Sequence, residues 1–120
     1  MDFVNLTTET ISIIDYNGDI IKIEPSGLIA KVNIIETEIN IKDYNVKFIQ
    51  RKLERPIFPI SIEEDIYYAK DIYIVSEDVL EALKEFYPSM GGRIFSPDNK
   101  INIIENLNGE VLFVTRLITF

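Results

Sequence analysis

Hydrophobic and polar residues alternate along most of this chain, which is the pattern of half-buried β-strands. Alternating runs cover residues 10–16, 19–24, 29–41, 44–53, 101–107 and 110–120, and residues 72–75 form a short apolar run. Ile dominates the apolar positions, and Ile, Val, Tyr and Phe all favour strands over helices. The pattern therefore predicts a protein built mainly of β-strands.

Two Asn-Gly dipeptides predict tight hairpin turns, because both residues tolerate the positive φ of a type I′ turn. Around Asn17-Gly18, a two-residue turn predicts that Tyr16 faces Asp19. That register gives the hairpin a core face of Ile14, Tyr16, Ile21 and Ile23.

Around Asn108-Gly109, the same reasoning pairs Glu105 with Leu112 and Ile101 with Arg116 in a long strand over residues 110–120. Both faces of this second hairpin are largely apolar. Such a strand pair is either covered on both sides within the fold or half-buried in a subunit interface.

One helix is predicted between the two hairpins. Ser76 is a good N-cap, Glu77 and Asp78 suit the first turn, and Pro88 stops the helix after residue 87. The predicted fold class is α+β: a single β-rich domain over residues 1–120, in which antiparallel hairpins pack around one short helix.

Composition narrows the classes of function. The chain has a net charge of −8, with 20 acidic and 12 basic side chains, which argues against nucleic-acid binding. An acidic surface serves either solubility or the mimicry of nucleic acid. With no apolar run of membrane-spanning length and no Cys, we expect a cytoplasmic protein without a membrane segment.

The chain also lacks His and Trp, and it contains none of the common nucleotide-binding or hydrolase motifs. The absence of His and Cys removes the usual general base, the thiol nucleophile and most transition-metal sites. We therefore expect a non-enzyme without catalytic residues, cofactor or metal; a carboxylate-based, metal-dependent phosphodiesterase is the alternative.

Several short segments resemble a group of small, mostly uncharacterised proteins of tailed phages and prophages. Those proteins begin F-x-N-L-T-x-H-x-I, continue through a turn to P-x-S-G, and later carry a Y-I-V-S strand and a closing hairpin. The matching segments here are Phe3–Thr7, Pro25–Gly27, Tyr73–Ser76 and Gly109–Leu117, and Glu9 stands where the group has His. The resemblance implies a phage or prophage setting, where small accessory proteins often neutralise a host factor or signal.

The loop after the helix is the first candidate ligand site. Its glycines permit close backbone approach, and its N–H groups and basic side chains suit an anion, although a glycine after a helix also serves as an ordinary C-cap. The candidate residues are Gly91, Gly92, Arg93, Ser96, Asp98, Asn99 and Lys100.

Four further residues complete the predicted site. Arg116 lies among aliphatic residues and needs a partner, either a nearby carboxylate, a subunit or a ligand phosphate. Asn5 and Thr7 either line a pocket or satisfy backbone groups beside the first turn. Tyr73 either stacks on a base or belongs to the core.

These observations predict a homo-oligomeric binding protein that counters host defence by sequestering a small anionic ligand, such as a nucleotide signal, without cleaving it. The alternative is an acidic interaction module that inhibits a host protein or serves the virion.

Overall fold

The computed structural model describes residues 2–59, 71–98, 104–105 and 112–120. Within these ranges it contains one α-helix, α1 (Glu77–Phe86), a short 3₁₀ helix (Pro88–Met90) and ten strands. The strands are β1 (Phe3–Asn5), β2 (Ile11–Ile14), β3 (Ile20–Ile23), β4 (Ile34–Ile39), β5 (Phe48–Leu53), β6 (Ile72–Ile74), β7 (Ile94–Pro97), β8 (Ile104–Glu105), β9 (Leu112–Val114) and β10 (Leu117–Ile118).

The strands form two four-stranded sheets and one separate hairpin. The first sheet has the order β1-β6-β7-β10, and the second has the order β3-β2-β9-β8. Among the described strands, β4 pairs only with β5. This β-rich α+β architecture with antiparallel hairpins and one helix confirms the predicted fold class. Parallel pairing, which the prediction did not include, joins β1 to β6, β6 to β7 and β2 to β9.

One of these parallel pairs, β6 with β7, follows from the position of the helix. Helix α1 connects β6 to β7, and a crossover of this kind returns the chain in the same direction on the same sheet. Along β6, Tyr73 and Val75 pack towards the helix, whereas Ile74 between them packs into the core against the second sheet. The first sheet is therefore covered on one face by α1 and on the other by the second sheet.

The helix itself is as predicted. Ser76 is its N-cap and accepts a hydrogen bond from the backbone N–H of Val79 at 3.4 Å. Val79, Leu80, Ala82 and Leu83 are buried on the face that meets the sheet. No helix among the described residues is long and apolar enough to cross a membrane.

The register of the first hairpin differs from the prediction by one residue. Ile14 faces Ile20 rather than Ile21, and Ile11 faces Ile23. Because the side-chain period of a strand is two, this shift exchanges the two faces of β2, while Ile21 and Ile23 of β3 stay on the predicted core face. Tyr16, predicted to lie in the core, is fully exposed. The buried isoleucines are Ile11 and Ile13, on the face of β2 opposite the predicted one, and Ile23, as predicted.

The shift arises because the turn has three residues rather than two. The N–H of Asp15 donates to the Asp19 carbonyl at 2.9 Å, and Gly18 alone takes a positive φ, of 81°. A carboxylate oxygen of Asp15 accepts the N–H groups of Asn17 and Asp19, each at 2.9 Å. This side-chain cap stabilises the three-residue loop over the predicted type I′ turn.

In the second hairpin, Glu105 faces Leu112 as predicted. The Asn108-Gly109 turn and Ile101 lie outside the described residues. The predicted strand over 110–120 is interrupted, because β9 ends at Val114 and β10 begins at Leu117. Strand β9 pairs with β2 and β10 pairs with β7, so Arg116 lies at the passage from one sheet to the other.

The two remaining strands form what we call the arm, which comprises β4, β5 and the connecting residues 40–47. Its base is attached to the helix: the Arg55 guanidinium lies over the rings of Phe86 and Tyr87, 5.6 and 5.7 Å from their centroids. The run over 29–41 predicts one long strand or two short ones, and it forms β4 and an isolated bridge from Lys31 to Ile57. The strand predicted over 44–53 is confirmed in the shorter β5.

Candidate functional site

A pocket of about 260 Å³ opens at the N-terminus of helix α1. The carboxyl ends of the parallel strands β1, β6 and β7 converge there, which is the edge where open α/β sheets commonly bind ligands. We call it the α1 pocket. Its lining residues are Thr7, Thr8, Glu9, Thr10, Ile11, Val75, Ser76, Glu77, Ser96, Pro97 and Val114.

Ser96 is the most informative residue in this lining. Only 1% of its surface is exposed, and its Oγ has no hydrogen-bond partner among the described residues. A buried hydroxyl without a partner costs free energy, about 1–3 kcal/mol. A ligand in the pocket would supply the missing partner.

The helix contributes backbone donors to the same pocket. The first N–H groups of an α-helix have no acceptor within the helix, and their aligned dipoles favour negative charge. The Ser76 hydroxyl satisfies one of these groups, the N–H of Val79. Ser76 and Glu77 both line the pocket, so the start of α1 faces the cavity.

The threonine-rich segment opposite the helix is held in place by Asn5. The Asn5 Nδ2 donates to the carbonyls of Glu9, at 2.7 Å, and Ile23, at 3.2 Å. Its Oδ1 accepts the backbone N–H of Thr7, at 2.9 Å, and the Thr7 hydroxyl, at 2.6 Å. Asn5 is 1% exposed. It therefore positions the pocket wall rather than offering a free group to a ligand.

The charges around the pocket restrict what it can bind. Its lining includes two carboxylates, Glu9 and Glu77, and no Lys or Arg among the described residues. Five hydroxyl side chains complete the polar lining: Thr7, Thr8, Thr10, Ser76 and Ser96. Hydroxyls and backbone N–H groups can bind an anionic group of low charge, while carboxylates accept hydrogen bonds from ligand hydroxyl or amino groups.

The predicted Gly91-Gly92 loop has structural contacts of its own. The N–H of Gly92 donates to the Thr119 Oγ1 at 2.9 Å, and the N–H of Arg93 donates to the Met90 carbonyl at 3.2 Å. A side chain at Gly91 would place its Cβ 2.2 Å from the carbonyl oxygen of Phe120. Gly91 thus lets the chain pack closely against Phe120, whereas Gly92 has open space around it and a positive φ of 81°.

Arg116 and Asp98, both predicted as ligand residues, bind each other. The Nε and a terminal nitrogen of Arg116 contact the same carboxylate oxygen of Asp98, which is buried. The N–H of Asp98 also donates to the Arg116 carbonyl at 3.2 Å. A partner of Arg116 is thus a carboxylate of its own chain, Asp98.

The remaining predicted residues divide between the core and the undescribed part of the chain. Tyr73 is buried in the core beneath the helix, and Asn99 and Lys100 lie outside the described residues. Of the residues predicted from sequence, the α1 pocket brings together Thr7 and Ser96, with Asn5 behind them.

Sequence reasoning missed Thr8, Glu9, Thr10, Ser76 and Glu77 as site residues. A signal for them was present: Ser76 follows an apolar strand directly and caps a helix. A strand-to-helix connection of that kind places the helix N-terminus at the carboxyl edge of a parallel sheet. Attention to the connector before the helix, rather than the one after it, would have located the pocket.

Among the described residues, no group of three or more acidic side chains is arranged to hold a metal ion. No protein-family model, no curated protein and no solved structure matches this chain.

Proposed function

We propose that this protein binds a small, singly charged anionic ligand of the nucleotide class in the α1 pocket and holds it without cleaving it. The observation that carries the proposal is the buried Ser96 hydroxyl beside the start of helix α1, which has no hydrogen-bond partner in the described part of the chain. A phosphate oxygen accepts hydrogen bonds from both the hydroxyl and the helix N–H groups.

The charge of the lining favours a phosphate with one negative charge. Glu9 and Glu77 repel a highly charged group, and no Lys or Arg of the described lining offsets them. A phosphodiester carries one charge per phosphate, whereas a nucleoside triphosphate carries several. We therefore expect a cyclic mononucleotide to bind more tightly than a triphosphate.

The carboxylates also supply selectivity for the rest of the ligand. A carboxylate that accepts hydrogen bonds from sugar hydroxyls recurs in dinucleotide-binding folds. Glu9, which follows Thr7 and Thr8 at the pocket rim, is suited to this role towards a ribose or an amino group. The volume of about 260 Å³ lies at the low end for ligand pockets, which fits one nucleotide unit.

The biological role that we propose is sequestration of a nucleotide signal in the host cytoplasm, by a homo-oligomeric protein of phage or prophage origin. The resemblance of the N-terminal segment to phage and prophage proteins supports this setting. Binding without turnover would lower the free concentration of the signal.

The first experiment is direct identification of a ligand. Protein purified from cells, and protein incubated with a lysate rich in nucleotides, is denatured by heat and the released small molecules are analysed by mass spectrometry. The proposal predicts an intact nucleotide in stoichiometric amount. Recovery of a cleaved nucleotide would refute binding without cleavage, and recovery of no small molecule would refute sequestration.

The Ser96→Ala variant tests the site. Because the Ser96 hydroxyl has no partner among the described residues, its removal should leave the free energy of unfolding unchanged or raise it by about 1 kcal/mol. Affinity for a 3′,5′-cyclic mononucleotide, measured by calorimetry, should fall about tenfold or more. Ser12→Ala is the matched control, since Ser12 is equally buried but does not line the pocket. Equal affinities for both variants would contradict the assignment.

A further inference from the structure

The arm is the part of the described chain whose side chains are least covered. None of the residues of β4 and β5 is buried, and only Ile34, Phe48 and Leu53 are half-buried. A two-stranded hairpin with both faces in water is marginally stable on its own. Burial of this hairpin against another surface would therefore stabilise it.

The two faces of the arm differ in charge. On the inner face, Glu36 pairs with Arg51 at 3.8 Å, and Arg51 also reaches Asp78 of helix α1 at 3.8 Å. The outer face, defined by the strand register, carries no carboxylate. It comprises Ile35, Thr37, Ile39, Phe48, Gln50 and Lys52.

The arm also differs in charge from the rest of the chain. Residues 34–53 contain four basic and three acidic side chains, a net charge of +1. Since the whole chain carries −8, the remaining residues carry −9. A surface that complements the outer face must be apolar and acidic.

The β2–β3 hairpin of the same chain presents such a surface. Tyr16 is fully exposed and Ile20 is 57% exposed, so two large apolar side chains lie open to solvent. The hairpin is also acidic: it contains Asp15, Asp19 and Glu24, and Lys22, its one basic residue, pairs with Glu24 at 3.5 Å. Strand β3 is also the edge of its sheet, where a second chain can approach.

We propose that the arm is a dimerisation element whose outer face packs on the β2–β3 hairpin of a second copy of this chain. Each copy contributes one arm and one β2–β3 hairpin, so a twofold axis generates two equivalent contacts. The apolar residues Ile35, Ile39 and Phe48 would be buried against Tyr16 and Ile20. The difference in net charge, +1 on the arm and −9 on the remaining residues, sets the orientation of the two copies.

This inference is independent of the α1 pocket, which contains no residue of the arm or of β3. Failure of ligand binding and failure of dimerisation are therefore separate results.

Mass measurement in solution provides the first test. Light scattering coupled to size exclusion, over a range of protein concentrations, should give twice the chain mass for the wild type. Ile39→Asp on the arm and Ile20→Asp on β3 should each raise the dimer dissociation constant at least tenfold. Ile57→Asp is the matched control, because Ile57 is 55% exposed and lies outside both surfaces. A monomeric wild type, or a control variant as weakened as the other two, would overturn the proposal.

Cysteine cross-linking tests whether the arm of one copy contacts the β2–β3 hairpin of the other. Because the chain contains no Cys, the introduced cysteines are the only thiols that can form a disulfide. A protein carrying both Ile39→Cys and Ile20→Cys should form a disulfide-linked dimer on mild oxidation. Neither single variant should cross-link, because the twofold arrangement joins arm to hairpin rather than arm to arm. A dimer of the Ile39→Cys single variant would show arm-to-arm packing and refute this partner surface. Only monomer from the double variant would refute it as well.

Discussion

Replacement of Asn5 by Ala tests how the threonine-rich wall of the α1 pocket is held. The Asn5 side chain makes four hydrogen bonds, two as donor to backbone carbonyls and two as acceptor from Thr7. These bonds join β1 to the turn at Glu9 and to the end of β3. In Asn5→Ala all four are lost together.

The magnitude follows from the burial of each partner. The bond to the Ile23 carbonyl is fully buried, so its loss costs about 1–3 kcal/mol. The partners in Thr7 and Glu9 are partly accessible, and water can replace the lost bonds at about 0.5 kcal/mol or less each. We expect the free energy of unfolding to fall by about 1–4.5 kcal/mol.

Urea denaturation followed by circular dichroism measures this change. The urea concentration at the midpoint of unfolding should fall. The slope of the free energy of unfolding against urea concentration should stay the same, because the amount of surface exposed on unfolding is unchanged. Thr7→Val removes only the hydroxyl and keeps the backbone bond to Asn5, so it should cost about 0.5–1.5 kcal/mol.

Asn17→Ala is the control for the general effect of replacing an asparagine by alanine. Asn17 is exposed in the β2–β3 turn, and its replacement should change the free energy of unfolding by no more than about 0.5 kcal/mol. A loss below about 1 kcal/mol for Asn5→Ala would refute the structural role of Asn5. A ligand affinity that falls while stability is kept would instead support direct contact between Asn5 and the ligand.

Two further substitutions test the contacts found at the other predicted residues. Arg116→Ala should lower the free energy of unfolding by about 1–3 kcal/mol, since buried Asp98 loses its guanidinium partner. Nucleotide affinity, measured by calorimetry, should stay unchanged. A large loss of affinity would show that Arg116 binds the ligand. Gly91→Ala should lower the free energy of unfolding by about 1–3 kcal/mol, because the new Cβ meets the Phe120 carbonyl oxygen. The loss should appear as a lower thermal midpoint. Gly92→Ala has open space and only an unfavourable φ, so it should cost about 1 kcal/mol, and a larger effect there than at Gly91 would contradict this account.

Local sequence determined most elements of this fold, although the pattern predicts no strand at β1 or β7. The run over 72–75 predicts β6, Ser76 predicts the N-cap, and Pro88 predicts the end of α1, because each signal acts within one or two turns of the chain. The pairing of Glu105 with Leu112 was also predictable, since a hairpin with a tight turn relates neighbouring residues by simple counting.

The first hairpin shows a feature that the local sequence pattern did not determine, the length of its turn. Asn17-Gly18 indicates a turn, but two- and three-residue loops are both compatible with it, and they place opposite faces in the core. The carboxylate of Asp15, which accepts two N–H groups across the loop, decided for three residues. The consequence is that Tyr16 is exposed and Ile13 is buried.

The α1 pocket depended on tertiary structure. Thr7, Ser76 and Ser96 lie far apart in the sequence and meet only because β1, β6 and β7 run parallel with β6 in the middle. Parallel pairing is set by a helical crossover and by packing between distant segments, neither of which alternation along one strand reveals. The sequence therefore specified the helix and most of the strands, and the packing of those elements decided which polar side chains share a site.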